Sequence, residues 1–226
     1  YKRMRLPFVP SKDWDDMPDA SISNSNSKYF GIDKFPSNQK KMWAGYLATV
    51  TFMDEQVGRI LKTLAELGLE QETAVFFTSD HGYLLGEHHF WQKGNLREEV
   101  TRIPLLIKSP NHRPGSSSSI VELVDLFPTA CDLVGLNKPQ TVQGMSLIPI
   151  LQNPKFTVKE SALSFVKKGT SMRSSNWAYM KYNDGTEELY DMKKDPKQFK
   201  NLVSIPTYNN ELLRHRKLFQ KRTKSI

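Results

Sequence analysis

Cysteine is almost absent from this sequence. A single residue, Cys131, in 226 excludes a disulfide within the chain and any site built from several thiolates. Long apolar runs are missing as well, and none approaches the roughly 18 residues that a membrane span needs. The opening stretch YKRMRLPFVPSKDW lacks an initiating Met and has no apolar leader core, so it reads as the interior of a longer polypeptide. No Asn-x-Ser/Thr sequon occurs, since Asn24 and Asn26 fail at the third position, which disfavours a heavily N-glycosylated protein. There is no internal repeat, and no low-complexity tract beyond the Ser run at 116–119.

What is present suits a folded chain with a real core. Hydrophobic residues make up 38% and aromatics 11%, and the length fits one large domain or one with a small satellite. The formal charge is +8, and it is concentrated at one end. Residues 193–226 hold ten Lys or Arg against Asp195 and Glu211, so the rest of the chain is neutral. That end reads either as a solvated basic helix or as a surface that attracts a polyanion.

Residues 1–36 are rich in Pro, Ser, Asn and Asp and read as loop. From Asn38 to Leu67 a helix is expected, because Trp43, Leu47, Val50, Asp54, Val57, Ile60, Leu61 and Leu64 recur at three- and four-residue steps. Gly68 closes it. Asp54 falls on the apolar face and is expected to have a structural role there. The run TAVFFTS has no alternation and predicts a strand buried on both faces, the kind found in a parallel sheet covered by helices. IPLLIKSP at 103–110 predicts a second such strand. Residues 120–136 predict a helix interrupted at Pro128, with Cys131 as a small core residue. After 160 the texture changes to short strands in SALSFVKK, SMRSSNWAYMKYN and EELYDMKKD, with a hairpin turn at Asn183-Asp184-Gly185. A basic amphipathic helix ends the chain. The pattern predicts an α/β domain over 1–160 and a small antiparallel sheet with one helix over 161–226.

The chemistry gathers in FFTSDHGYLLGEHHFWQKGN, residues 76–95. Ligands of open α/β sheets collect beyond the carboxyl ends of the strands, where Ser79-Asp80-His81-Gly82 stands. Gly82 would allow a sharp turn that points Asp80 and His81 into one site. A carboxylate and an imidazole are half of a divalent metal site; Asp80 as a helix cap with His81 exposed is the plain alternative. Lys93 would supply a point charge for an anionic oxygen, or be an ordinary surface lysine. Glu87 and His88 would orient the ligands, His89 would be exposed and Trp91 would be packed.

The run from Leu47 to Ile107, with SDHG, GEHxxWxK and TRIPLLI, resembles the sulfatase family, most closely its iduronate-2-sulfatase branch. VELVDLFPTACDLVGL and ELYDMKKDPKQFKNL extend the resemblance over nearly the whole chain. It implies the C-terminal part of an alkaline phosphatase-like α/β/α sandwich followed by a small antiparallel sheet. It also implies hydrolysis of a sulfate ester on a glycan or glycosaminoglycan, with 2-O-sulfated iduronate as the nearest substrate, outside the cytoplasm. By resemblance, Asp80 and His81 are metal residues for Ca²⁺ and Lys93 contacts the sulfate. The family nucleophile is a formylglycine made in a Cys-x-Pro-Ser-Arg motif. Cys131 is followed by Asp132-Leu133-Val134, so it is not that residue. The family's early Asp-Asp metal pair is missing too, since Asp15-Asp16 stands where a later motif belongs. YKRMRLPF resembles a stretch in which a His faces the sulfate, and Arg5 occupies that place. The resemblance therefore implies a partner, the upstream half of the same enzyme, without which the chain is inactive.

Two other readings stand beside this one. SDHG also occurs in phosphodiesterases and phosphomutases of the same superfamily, which use Zn²⁺ or Mn²⁺. A non-catalytic fragment could hold a polyanion through residues 193–226 alone. There is no aromatic platform or recognised motif for nucleic acid.

Overall fold

In a computed structural model of the chain, residues 5–22, 32 and 35–224 are described. Helix α1 (Asp19–Ile22) is one turn, within a segment whose composition reads as loop. Helix α2 (Pro36–Glu66) runs 31 residues, about 46 Å at 1.5 Å per residue. It stops as the sequence predicts. Gly68 takes φ +69°, and the amides of Gly68 and Leu69 reach back to the carbonyls of Ala65 and Leu64 at 3.0 and 3.1 Å, which satisfies two end carbonyls.

The burial of α2 differs from expectation. Only its first turns dock: Met42, Trp43 and Tyr46 pack with Tyr83 against Ile32, Leu85 and Trp91, and Trp43 Nε1 donates to the Leu85 carbonyl at 2.6 Å. Leu47, Val50, Ile60 and Leu61 are exposed, and so is Asp54. The helical period is correct, but among the described residues no layer covers that face.

Strand β1 (Val75–Thr78) pairs with β4 (Leu105–Lys108). The pairing is antiparallel, Val75 opposite Lys108 and Thr78 opposite Leu105, which corrects the expected parallel sheet. A parallel return needs a crossover of about a dozen residues or more, usually a helix running back along the sheet. The connection instead holds the two-residue strands β2 (Leu84–Leu85) and β3 (Trp91–Gln92) and the one-turn helix α3 (Glu98–Thr101). The chain therefore re-enters from the end it left. Neither strand is fully buried: β1 is intermediate throughout, and Leu106 on β4 is 61% exposed.

Beyond β4 the expected helix is shortened. A 3-10 turn at Leu123–Asp125 leads into α4 (Leu126–Leu133), with Pro128 in the first turn, where a missing N–H costs nothing. Cys131 is buried and free. Helix α5 (Ile148–Gln152) follows. The last part is a meander of β5 (Ser161–Val166), β6 (Gly169–Ser174), β7 (Trp177–Tyr182) and β8 (Glu187–Asp191), covered by α6 (Asn209–Thr223). One stretch that reads as a single strand splits at Ser175-Asn176 into β6 and β7. The β7–β8 turn is the expected one, with Gly185 at φ +89°.

Alternation along β7 creates two cores, as a pleated strand must. Tyr179 packs with Met172, Leu189 and Leu212 beneath α6. Ala178, Met180 and Tyr182 face the other way and pack with Leu96, Tyr190 and Met192. On that second face Arg97 Nη2 donates to Glu188 Oε1 at 2.7 Å, both side chains being 0% exposed, and the guanidinium lies 5.1 Å from the Tyr190 ring. Glu188→Gln leaves a buried guanidinium without a counter-charge and should cost about 3–5 kcal/mol. Chemical denaturation measures this, and a loss under about 1 kcal/mol would remove the pair from the core energetics.

The fully buried His215 joins α6 to the sheet. Its Nδ1–H donates to the Glu211 carbonyl at 2.9 Å, and its Nε2 accepts from Ser174 Oγ at 3.3 Å. Burial lowers its pKa, opposed by the carbonyl and carboxylate of Glu211. A histidine with a depressed folded pKa binds fewer protons when folded, so stability is present above the unfolded pKa of roughly 6.5 and falls as pH drops through it. His215→Gln should flatten that acid limb in melts recorded from pH 8 to 5; an unchanged slope would acquit His215.

Candidate functional site

The site begins where β1 ends. Thr78 Oγ1 donates to the Pro104 carbonyl at 2.8 Å, and Ser79 Oγ donates to the His81 carbonyl at 2.8 Å, so the turn is pinned by hydroxyls on both sides. Asp80 Oδ1 accepts from the His81 amide at 3.0 Å. His81 Nδ1 lies 2.8 Å from the Gly82 carbonyl. A carbonyl only accepts, so Nδ1 carries a proton and Nε2 is the nitrogen whose lone pair the neutral ring would offer. That nitrogen is 3.4 Å from Asp80 Oδ2.

Gly82 is required for a reason other than the expected turn. A Cβ there would sit 1.9 Å from the Glu99 carbonyl oxygen, and the Gly82 amide donates to the Val100 carbonyl at 2.8 Å. Close backbone approach, not a left-handed φ, selects the glycine.

Lys93 is exposed on the loop after β3. Slight burial of the Asp80 carboxylate works against its charge, yet the His81 ring, the His81 amide and the Lys93 ammonium together hold its pKa below the usual range. Asp80, His81 and Lys93 thus share one electrostatic neighbourhood. It is an open one, with the Asp80 side chain 82% exposed and that of His81 31%. Two concavities lie elsewhere: about 330 Å³ between Tyr179, Lys181, Glu187 and Arg216, and about 540 Å³ along Gln56, Ile60 and Leu64 of α2.

The other predicted residues take different roles. Glu87 Oε2 accepts from the Leu85 amide at 2.7 Å, and His88 Nδ1 meets Asp13 Oδ2 at 2.8 Å. Both stabilise their own loop, whereas sequence reasoning had them orient Asp80 and His81. His89 is exposed and Trp91 buried, as expected. Arg5 is exposed; Pro7, two residues on, runs beside Gly86. Asp13, Trp14 and Arg97 escaped sequence reasoning, because a charged residue in a polar run gives no sign of burial. Of the ten cations in 193–226, Lys194, Lys197, Arg214, Arg216 and Arg222 form ion pairs, with Asp191, Glu99, Glu211, Glu187 and Glu122. Much of the basic end therefore fastens the chain to itself.

The donor set of Asp80 and His81 Nε2 fits two ligands of a divalent cation. Among the described residues no group of three or more His, Cys, Asp or Glu could hold a metal ion.

Comparison with known proteins shows which family the chain resembles. The family profile described as Sulfatase matches residues 14–136, and one described as N-sulphoglucosamine sulphohydrolase, C-terminal, matches residues 86–224. The N-acetylglucosamine-6-O-sulfatase of Bacteroides thetaiotaomicron is 36% identical over 72% of this chain and 32% of its own length. A solved structure in complex with its substrate D-glucosamine-2-N,6-O-disulfate has TM-score 0.75 and 34% identity, over 80% of this chain and 40% of that one. A 2-O glycosaminoglycan sulfatase has TM-score 0.83 and 26% identity, over 98% and 53%. The chain spans about a third of the length of the curated relatives it matches.

Gly82→Ala is expected to break the contact with Glu99 and Val100 and to cost about 1–3 kcal/mol or more by overpacking. Limited proteolysis between β1 and β4 should accelerate while the C-terminal sheet stays protected; unaltered cleavage would disprove the close approach.

Proposed function

The chain belongs to the sulfatase family, and we propose that it supplies one flank of the active site of a hydrolase for sulfate esters on a glycan. The convergence of Asp80, His81 Nε2 and Lys93 at the open end of β1 carries this reading. Asp80 and His81 would hold Ca²⁺. When bound, that ion would neutralise charge on the sulfate oxygens and on the nucleophile. The Lys93 ammonium would hold a further sulfate oxygen as charge shifts during transfer. The bond between His81 Nδ1 and the Gly82 carbonyl would orient the ring so that Nε2 is the nitrogen offered to the ion.

The nucleophile would come from outside this chain. Cys131 is buried in α4 among Ala130 and Asp132, away from any Cys-x-Pro-Ser-Arg sequence. A formylglycine and the remaining metal ligands would belong to an upstream half, and the chain alone would not turn over. The same openness of Asp80 supports this, since a metal carboxylate is normally enclosed by its other ligands.

The substrate proposed is a sulfated glycosaminoglycan or related polysaccharide, met outside the cytoplasm in a lysosomal, periplasmic or secreted setting. No helix among the described residues is long and apolar enough to cross a membrane. Two finer readings have separate support. A 2-O-sulfated uronate follows from the iduronate-2-sulfatase resemblance and from the structural likeness to a 2-O glycosaminoglycan sulfatase. A 6-O-sulfated glucosamine follows from the relative that acts at that position.

In the enzyme carrying both halves, Asp80→Ala and His81→Ala should each lower kcat by on the order of 10²–10³ and reduce bound calcium. Lys93→Ala should lower kcat by a similar factor with the metal retained. Sulfate release from defined 2-O- and 6-O-sulfated disaccharides separates the two substrates. Full turnover in the double Asp80, His81 variant, or two stoichiometric zinc ions in the wild type, would sink the reading.

A further inference from the structure

From Gly86 to Gly94, on either side of Lys93, the backbone is unusual. Gly86, His88, His89, Gln92 and Gly94 all have positive φ, at 111°, 57°, 58°, 68° and 86°. Three of the five carry side chains, and L-residues seldom adopt that region without being held there. Strain of this kind persists only where the surroundings over-determine it.

The holding groups come from two adjacent residues far away in sequence. Trp14 Nε1 donates to the His88 carbonyl at 2.7 Å, and its indole meets the His89 ring edge-on at 5.9 Å. Asp13 Oδ2 accepts from His88 Nδ1 at 2.8 Å, both side chains being 1% exposed. His88 also packs against Phe199, with ring centroids 5.3 Å apart. The turn that carries Asp13 and Trp14 is itself fixed. Asp16 accepts from the Asn201 amide and side chain, each at 3.0 Å, and Met17 is buried with Leu84, Phe90 and Val100.

Asp13 is a poor choice for packing alone. Its Oδ1 is buried without a hydrogen-bond partner, which is unfavourable for a carboxylate. An apolar residue would fill the space without that loss, but it would not take the His88 Nδ1–H. The strained segment ends at Gln92 and Gly94, which flank Lys93.

We propose that Asp13 and Trp14 are positioning residues: by gripping the left-handed His88–His89 pair they set where the Lys93 ammonium stands relative to Asp80 and His81. The proposal rests on the anion-binding role given to Lys93 above.

The test uses the full 226-residue chain, its lysines dimethylated with ¹³C and the Lys93 line assigned through Lys93→Arg. Inorganic sulfate is the probe, and thermal melts run in parallel. In the wild type the Lys93 line should stand apart from the bulk lysines and move with sulfate. Asp13→Ala should return it to the bulk position and weaken the sulfate response at least about tenfold, an effect of about 1.4 kcal/mol. Asp13→Asn, which keeps an oxygen acceptor for His88, should restore both. Trp14→Phe keeps the ring and loses the indole N–H, and it should displace the line in the same direction; it decides the matter if Asp13→Ala does not melt cooperatively. A Lys93 line unmoved in Asp13→Ala and Trp14→Phe overturns the proposal. A line displaced by the variants but blind to sulfate in the wild type upholds the positioning and overturns the sulfate role of Lys93.

Discussion

Three consecutive charged residues, Arg97, Glu98 and Glu99, each reach a different partner in the C-terminal sheet and its following loop. Arg97 pairs with Glu188, Glu98 with Arg173 and Glu99 with Lys197, at 2.7, 3.0 and 3.2 Å. These contacts are unequal. The Arg97–Glu188 pair is wholly buried, so losing one partner strands a charge in a low-dielectric interior. The Lys197–Glu99 pair is half in water and contributes little. What the set provides is placement. Val100 follows directly, and its carbonyl receives the Gly82 amide, so the sheet that holds Arg97 also fixes the backbone beside Asp80 and His81.

The C-terminal sheet is therefore part of the apparatus that shapes the site. Its face of Ala178, Met180 and Tyr182 packs onto Leu96, one residue before the clamp. Gln198 adds a hydrogen bond to the Glu98 amide at 2.9 Å, and Phe199 lies against His88. A substitution in β8 or in the Asp-Pro turn after it would thus be felt at Lys93 without touching a ligand. The flank that results is rigid where it meets the sheet and open where chemistry would occur. Asp80 is 82% exposed there and His81 31%, which fits the proposal that further groups complete the site.

Much of this was legible in the residues themselves. SDHG marked the end of an apolar strand, Gly68 ended α2, and Asn183-Asp184-Gly185 marked the β7–β8 turn. Local signals of this kind survive because short-range sterics and hydrogen bonds decide them. The errors have one origin. The face of α2 beyond Leu47, the strands β1 and β4, and Asp54 were expected inside because their patterns call for a covering layer. An apolar period records that a face is built for burial, but whether it is buried depends on the neighbours present, and this chain spans about a third of its relatives.

The reverse error concerns Asp13, Trp14 and Arg97, polar or isolated residues in unremarkable runs that prove to be structural, Asp13 and Arg97 buried and Trp14 partly so. Nothing in the composition of SKDWDD or NLREEV distinguishes a solvated charge from a desolvated one. The sequence by itself determined most of the elements and the family, because these depend on residue type and short spacing. Tertiary structure alone decided strand direction, which glycine contact matters and which charges go inside, because each depends on a partner 17 to 91 positions away.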